Sequence, residues 1–260
     1  MRTIGLMLCR NEIDILDQFM RRHLEFFDTI VAIDESTDGS REALLDYPQI
    51  KHVIKGEELP YPPPFRDGMR CAALQFIRET YGYDGWITLV HPDEWWVDDP
   101  NQAASDAERE GADCVLWHAL EFFLHVSQKP LYERPGWERI PVRERLDLFQ
   151  PGFYEFRQFK NRPGVAYDPK RHAQTMPDYT DRASHLKAYS PVFSHYSTRS
   201  PEQARARARD RVQRDWNSAY LSLVDDAFCD RPMVDCPLLE KSQEQAAWLR
   251  TFPKFGHQSP

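Results

Sequence analysis

The chain opens on an unbroken apolar run, Thr3-Ile4-Gly5-Leu6-Met7-Leu8, the pattern of a strand buried on both faces. Asn11 then offers a side-chain cap, and Ile15, Leu16, Phe19, Met20, Leu24 and Phe27 recur behind it at helical spacing. Residues 29–34 predict a second buried strand. Ser36-Thr37-Asp38-Gly39-Ser40 predicts a turn in which Ser40 caps a short helix over 41–46. Residues 52–54 predict a third strand. The proline-rich stretch 59–64 suits neither helix nor central strand and reads as a surface loop. A helix over 65–80 leads into a strand over 86–90, which ends at His91-Pro92-Asp93-Glu94.

Strands alternating with helices imply a parallel sheet, and such sheets bind ligands beyond the carboxyl ends of their strands. Three of those ends carry polar clusters: Arg10-Asn11-Glu12, Asp34-Glu35-Ser36 and His91-Pro92-Asp93-Glu94. That coincidence is the first functional signal. The second half is less regular. Residues 114–120 predict a strand, and 126–190 read as loops and short strands with room for a lid. Ser200-Pro201-Glu202-Gln203 forms a capping box that starts a helix to about residue 224, with a further short helix over 242–249. No repeat or Gly/Ser linker divides the chain, so the pattern predicts one domain with C-terminal helical decoration.

Composition narrows the class. The 260 residues are 41% hydrophobic and 28% charged, as in a globular protein, and no apolar run approaches the ~20 residues of a bilayer span. No basic start followed by a long apolar stretch opens the chain, so no signal peptide is expected. Five scattered cysteines, Cys9, Cys71, Cys114, Cys229 and Cys236, form no C-x-x-C pair and predict a reducing, cytoplasmic setting. A net charge of −8 disfavours non-specific nucleic-acid binding. Arg205, Arg207, Arg209, Arg211 and Arg214 are interleaved with acids and read as a solvated helix rather than a nucleic-acid patch.

The ordered set Arg10-Asn11-Glu12, Asp34-Glu35-Ser36-Thr37-Asp38-Gly39-Ser40 and Pro92-Asp93-Glu94 resembles a family 2-type glycosyltransferase with a GT-A fold. The resemblance covers residues 3–100 and resumes at Phe193-Ser194-His195-Tyr196 with Arg199-Ser200-Pro201-Glu202-Gln203. It implies an α/β, mostly parallel, Rossmann-like sheet flanked by helices. It implies a glycosyltransferase domain over 1–200, with a nucleotide-sugar half (1–100) and an acceptor half (101–200), and C-terminal helices over 201–260 packed on it. The implied activity is inverting, metal-dependent transfer from a nucleoside-diphosphate sugar, UDP-linked, to a hydroxyl acceptor. No nucleic-acid partner or transmembrane segment is expected. The alternatives are a degenerate nucleotide-sugar-binding module and a nucleic-acid-modifying protein.

Site residues follow from the same match and from chemistry. Transfer needs a cation to neutralise the leaving diphosphate. Mn²⁺ and Mg²⁺ favour carboxylate oxygens, and Mn²⁺ also accepts imidazole. Asp93, His91 and His195 are the candidate ligands, with Glu94 in support. His91 stands where the family keeps the first Asp of its D-x-D motif, and ends its strand on the plainer reading. Asn11, Glu12, Asp34 and Ser36 are placed on the nucleotide. Asp34 alternatively closes an Asx turn, and Glu12 alternatively favours a helix's first turn. Arg66 and Arg70, four apart on one helix face, form a fork for the diphosphate or a solvated face. Of Trp95 and Trp96, one or both belong to the core. Glu121 is the candidate general base, with Glu155 and Asp168 competing. His118, His125, His172 and His185 lack metal-ligand spacing.

Overall fold

The computed structural model describes residues 2–59, 67–169, 176–213, 226–230 and 232–235. Arg66, the proline-rich loop beyond residue 59, His172, Arg214, Cys236 and the helix expected over 242–249 lie outside them. The chain packs as two compact units interleaved in sequence: Met1–His118 with Tyr154–Pro191, and Ala119–Phe153 with Val192–Pro260. The division at residues 100 and 200 expected from the sequence is a different cut, drawn by function.

In the first unit the chain runs β1 (Thr3–Cys9), α1 (Ile13–His23), β2 (Thr29–Asp34), α2 (Ser40–Leu44), β3 (Ile50–Lys55), α3 (Asp67–Tyr81), β4 (Trp86–Val90), β5 (Glu94–Trp96), α4 (Pro100–Glu110) and into β6 (Cys114–Phe122). β1 pairs in parallel with both β2 and β4, and β2 with β3, in the order β3-β2-β1-β4. Every residue of β1, β2 and β4 is buried, as their unbroken apolar runs require. Alternate residues Ile4, Leu6, Leu8, Val31, Ile33, Ile87 and Leu89 join Met69, Ala73, Leu74 and Ile77 of α3 in one core. Asp99 caps α4 by accepting from the amides of Asn101 and Gln102, with Pro100 at the first helical position. The α/β character read from the sequence is the observed one.

Residues 126–190 differ from expectation. They hold α5 (Lys129–Tyr132), α6 (Val142–Arg145), a thirteen-residue strand β7 (Leu148–Lys160) and the short pair β8 (Val165–Ala166) and β9 (Asp178–Tyr179). β7 pairs antiparallel with β4, Trp86 opposite Lys160, so the parallel run ends there. The strand was hidden by Pro151-Gly152 in its first half and by a half-buried pattern with no clean alternation.

In the second unit Ala119–Phe122 of β6 lies between the first half of β7 and β10 (Val192–His195), and β11 (Val234–Asp235) pairs with Leu148 and Phe149 of β7. α7 spans Pro201–Gln213. Ser200 Oγ accepts from the Gln203 amide at 3.1 Å, as the capping pattern predicts. Gln203 reaches back to the Arg199 amide (3.0 Å), one residue earlier than in the standard box. Among the described residues no helix is long and apolar enough to cross a membrane.

Candidate functional site

The strand order reverses at β1: the chain moves outward through β2 and β3, then returns to place β4 on the other side of β1. Open α/β sheets bind ligands outside the carboxyl ends at such a switch point. Here those ends are Arg10-Asn11-Glu12 after β1 and His91-Pro92-Asp93-Glu94 after β4, with Asp34 closing the adjacent β2.

The loops after β1 and β2 are tied together by side chains. Ser36 Oγ accepts from the Asn11 amide (2.9 Å), Ser40 Oγ from the Glu12 amide (2.9 Å) and Asp38 Oδ2 from the Ile13 amide (3.2 Å). Asn11 Oδ1 in return accepts from the Thr37 amide (2.8 Å). Asn11 therefore does not cap its own helix as expected. It takes φ 54°, a left-handed conformation that asparagine tolerates, and serves the neighbouring loop. Ser40 likewise is not the cap of α2. Gly39, at φ 93°, holds that position, and Ser40 is the first helical residue, bonded to Asp38. The consequence is chemical. A free helix N-terminus attracts phosphate, but these amides of the α1 entry are already used. An anion at this switch point would need positive charge from elsewhere than the Asn11, Glu12 and Ile13 amides.

Asp34 is fully buried. Its Oδ1 accepts from Ser36 Oγ at 2.5 Å, and its Oδ2 from the Ser36 amide (3.2 Å) and Arg41 Nε (2.8 Å). The hydrogen bond to Asp34 raises the Arg41 pKa further. An ionised carboxylate has about four acceptor sites, so three donors leave room for one more. Arg10 pairs with Glu35 at 2.9 Å. Glu12 is buried beside this network.

At the end of β4, His91, Asp93 and Glu94 each offer a donor atom within 4.8 Å of the others. Asp93 and Glu94 are 3% and 2% exposed. Glu94 is held by Arg157 of β7 in a bidentate fork, Nε to Oε2 at 2.7 Å and Nη2 to Oε1 at 2.6 Å, and Nη2 also meets Glu155 at 2.5 Å. Burial alone would lower the Arg157 pKa. The two carboxylates outweigh it and push it up. His91 Nδ1 lies 3.7 Å from Glu94 Oε1, too far for a hydrogen bond, and Nε2 is shut from solvent with no hydrogen-bond partner among the described residues. Burial pushes the His91 pKa down to about 4, with the charges of Arg157 and Arg70 adding to the effect against those of Glu94 and Asp93. The imidazole is thus neutral near pH 7, the form that ligates metals. Buried Arg70 supplies positive charge from α3. Trp95 and Trp96 are both core residues: Trp95 Nε1 donates to the Pro92 carbonyl at 3.1 Å, and Trp96 meets Trp117 edge-on.

In the second unit Glu121 and His195, 74 residues apart in sequence, come together: His195 Nδ1 lies 3.3 Å from Glu121 Oε1. Gly152 of β7 permits the approach, since a side chain there would meet the Glu121 Cγ at 2.6 Å. Phe153 stands edge-on to the His195 ring at 5.8 Å. Arg157 and Arg41 are the site residues the sequence reading passes over. The faint signal for Arg157 was Glu155-x-Arg157, two charges on one face of an aromatic-rich strand.

No family model matches the chain, and no curated protein matches it. Among solved structures it is similar to a Bacillus anthracis protein assigned as a glucose-1-phosphate thymidylyltransferase, solved in complex with a sucrose. The identity is 10% over 98% of each chain, with a TM-score of 0.29, a likeness too low to carry an argument.

Proposed function

We propose that this chain is a glycosyltransferase of GT-A type, moving a sugar with inversion from a UDP-linked donor to a hydroxyl acceptor. The observation that carries the reading is the His91–Asp93–Glu94 group at the end of β4, beside β1 where the strand order reverses. The donor set fits a divalent cation: a buried carboxylate, a neutral imidazole and an orphaned ring nitrogen shut from water. His91 and Asp93 would hold it, and it would supply the positive charge that stabilises the departing diphosphate.

The remaining roles belong to the chain's own side chains. Arg70, and Arg66 by the resemblance, lend charge to the diphosphate. Asp34, with its one remaining acceptor site, takes a hydrogen bond from base or ribose, aided by Asn11, Glu12 and Ser36. Glu121 takes the acceptor proton as the acceptor oxygen attacks the anomeric carbon, and the sugar–phosphate bond breaks with its electron pair leaving on the diphosphate. The resemblance also names His195, which stands beside Glu121 in the second unit.

Calorimetry with UDP, with and without Mn²⁺, tests the reading. Binding should require the cation and be lost in Asp93→Ala. Asp34→Ala should weaken binding in either condition by about 1.5–3 kcal/mol. Unchanged UDP affinity in Asp93→Ala rejects the metal assignment. A degenerate binding module is the second reading, favoured by the capture of both Asp34 and Glu94 by arginines. Tight UDP binding without sugar release would select it.

A further inference from the structure

We propose, resting on the reading above, that Arg157 is a positioning residue: through its fork on Glu94 it fixes the turn after β4 and so presents His91 and Asp93 to the donor. The turn is His91-Pro92-Asp93-Glu94, closed by the Glu94 amide donating to the His91 carbonyl at 2.9 Å. Pro92 stands second in it, where a locked φ suits the bend. Trp95 Nε1 donates to the Pro92 carbonyl at 3.1 Å. The fork adds a tie from outside the turn. Arg157 Nε donates to Glu94 Oε2 at 2.7 Å and Nη2 to Oε1 at 2.6 Å, so two bonds fix the rotation of the carboxylate as well as its place. Asp93 is the residue between the proline and this anchor.

The anchor stands on a braced strand. Gln158, next to Arg157 on β7 and fully buried, donates to Thr88 Oγ1 of β4 (3.1 Å) and to the Pro100 carbonyl at the start of α4 (2.9 Å), and accepts from Trp117 Nε1 (3.1 Å). β7 is thereby locked to the strand that the turn leaves. Stability alone does not call for a charged pair here, where the two side chains are 2% and 3% exposed. A buried ion pair pays heavily in desolvation, and apolar side chains of similar volume are often as stable or more so. What apolar packing lacks is direction. A working site needs its side chains held within about 0.5 Å, by supporting residues whose own rotamers are locked by packing and hydrogen bonds. The capture of Glu94 by an arginine is then a support of the site, not a mark of degeneracy.

Arg157→Lys tests this, since lysine keeps the charge and loses the fork. Two quantities are read on the full chain: hydrogen exchange at the Glu94 amide, and UDP affinity by calorimetry with Mn²⁺. The melting temperature and the exchange of the β1 amides check the global fold. The Glu94 amide should exchange at least about tenfold faster than in the native chain while the β1 amides hold their rates. UDP should bind at least about tenfold more weakly. The double variant Arg157→Met, Glu94→Leu separates direction from stability: it should melt close to the native chain and bind UDP as weakly as Arg157→Lys does. A folded Arg157→Lys with native exchange at Glu94 overturns the proposal. So does native or tighter UDP binding, and tighter binding is the result if the arginine does no more than keep Glu94 from the ligand. Should Arg157→Lys fail to fold, the double variant decides, and native UDP affinity there overturns the proposal. These outcomes leave the transferase reading standing. A native chain that binds no UDP with Mn²⁺ rejects that reading, and the proposal with it.

Discussion

Arg157 is 63 residues from Glu94 in sequence and 2.6 Å from it in space. No local pattern announces such a pair, because strand β7 brings it together through pairing with β4. Removing one member of a buried ion pair typically costs about 3–5 kcal/mol, most of it the penalty of the stranded partner. Arg157→Met should destabilise the chain by that amount in urea unfolding. Adding Glu94→Leu should recover a large part of it, a coupling that a double-mutant cycle isolates. Strict additivity of the two changes would mean the pair does not act as a unit. His23 makes a second residue-scale case. It is 1% exposed, ringed by Phe19, Phe26 and Trp95 at 5.0–5.9 Å, and neither ring nitrogen has a hydrogen-bond partner among the described residues. Burial, with Arg22 adding to it, holds its pKa well below the usual value. Unfolded, it would titrate near 6.5. Below that pH the unfolded chain binds a proton that the folded chain refuses, so stability is whole above pH 6.5 and falls as pH drops toward the folded pKa. The slope from this group approaches about 1.4 kcal/mol per pH unit. The urea midpoint should decline from pH 6.5 to 5.0, and His23→Phe should flatten that decline. A flat native profile would contradict the burial argument.

At the scale of elements, the bounds of β2 and β4 were legible in full, since residues 29–34 and 86–90 are runs buried on both faces. The joint between the loops after β1 and β2 was legible in composition but not in wiring. Asn11, Ser36, Asp38 and Ser40 are all cap-forming types, and sequence order assigns each to its nearest helix. The fold instead crosses them, so that Asp38 accepts from Ile13 at the entry of α1 and from Ser40 at the entry of α2. Asp38→Ala therefore strips two helix starts at once. It should cost about 1–2 kcal/mol, the upper end of the range for a single cap. Hydrogen exchange should rise at the amides of both Ile13 and Ser40. Exchange rising at Ser40 alone would show that Asp38 serves only its own turn. β7 was missed because Pro151-Gly152 breaks its pattern, and the same Gly152 gives Glu121 the space to reach His195. The feature that hid the strand is the one its neighbour needs.

For the molecule as a whole, the sequence pointed to a switch-point site through three polar clusters at strand ends, and the order β3-β2-β1-β4 places all three side by side. The sequence could not reveal that the amides entering α1 are consumed, or that Arg157 claims Glu94. On the proposed function, both facts would leave the neutralising of a diphosphate to Arg70 and to a cation held by His91 and Asp93. A transferase site must turn over its donor as well as bind it. The most direct measurement is release of nucleoside diphosphate from a panel of nucleotide sugars incubated with the full chain and Mn²⁺. The predicted result is cation-dependent release from at least one UDP-sugar, abolished by chelation and by Asp93→Ala with its melting temperature preserved. Release from none of them, or release that persists unchanged in Asp93→Ala, would contradict it.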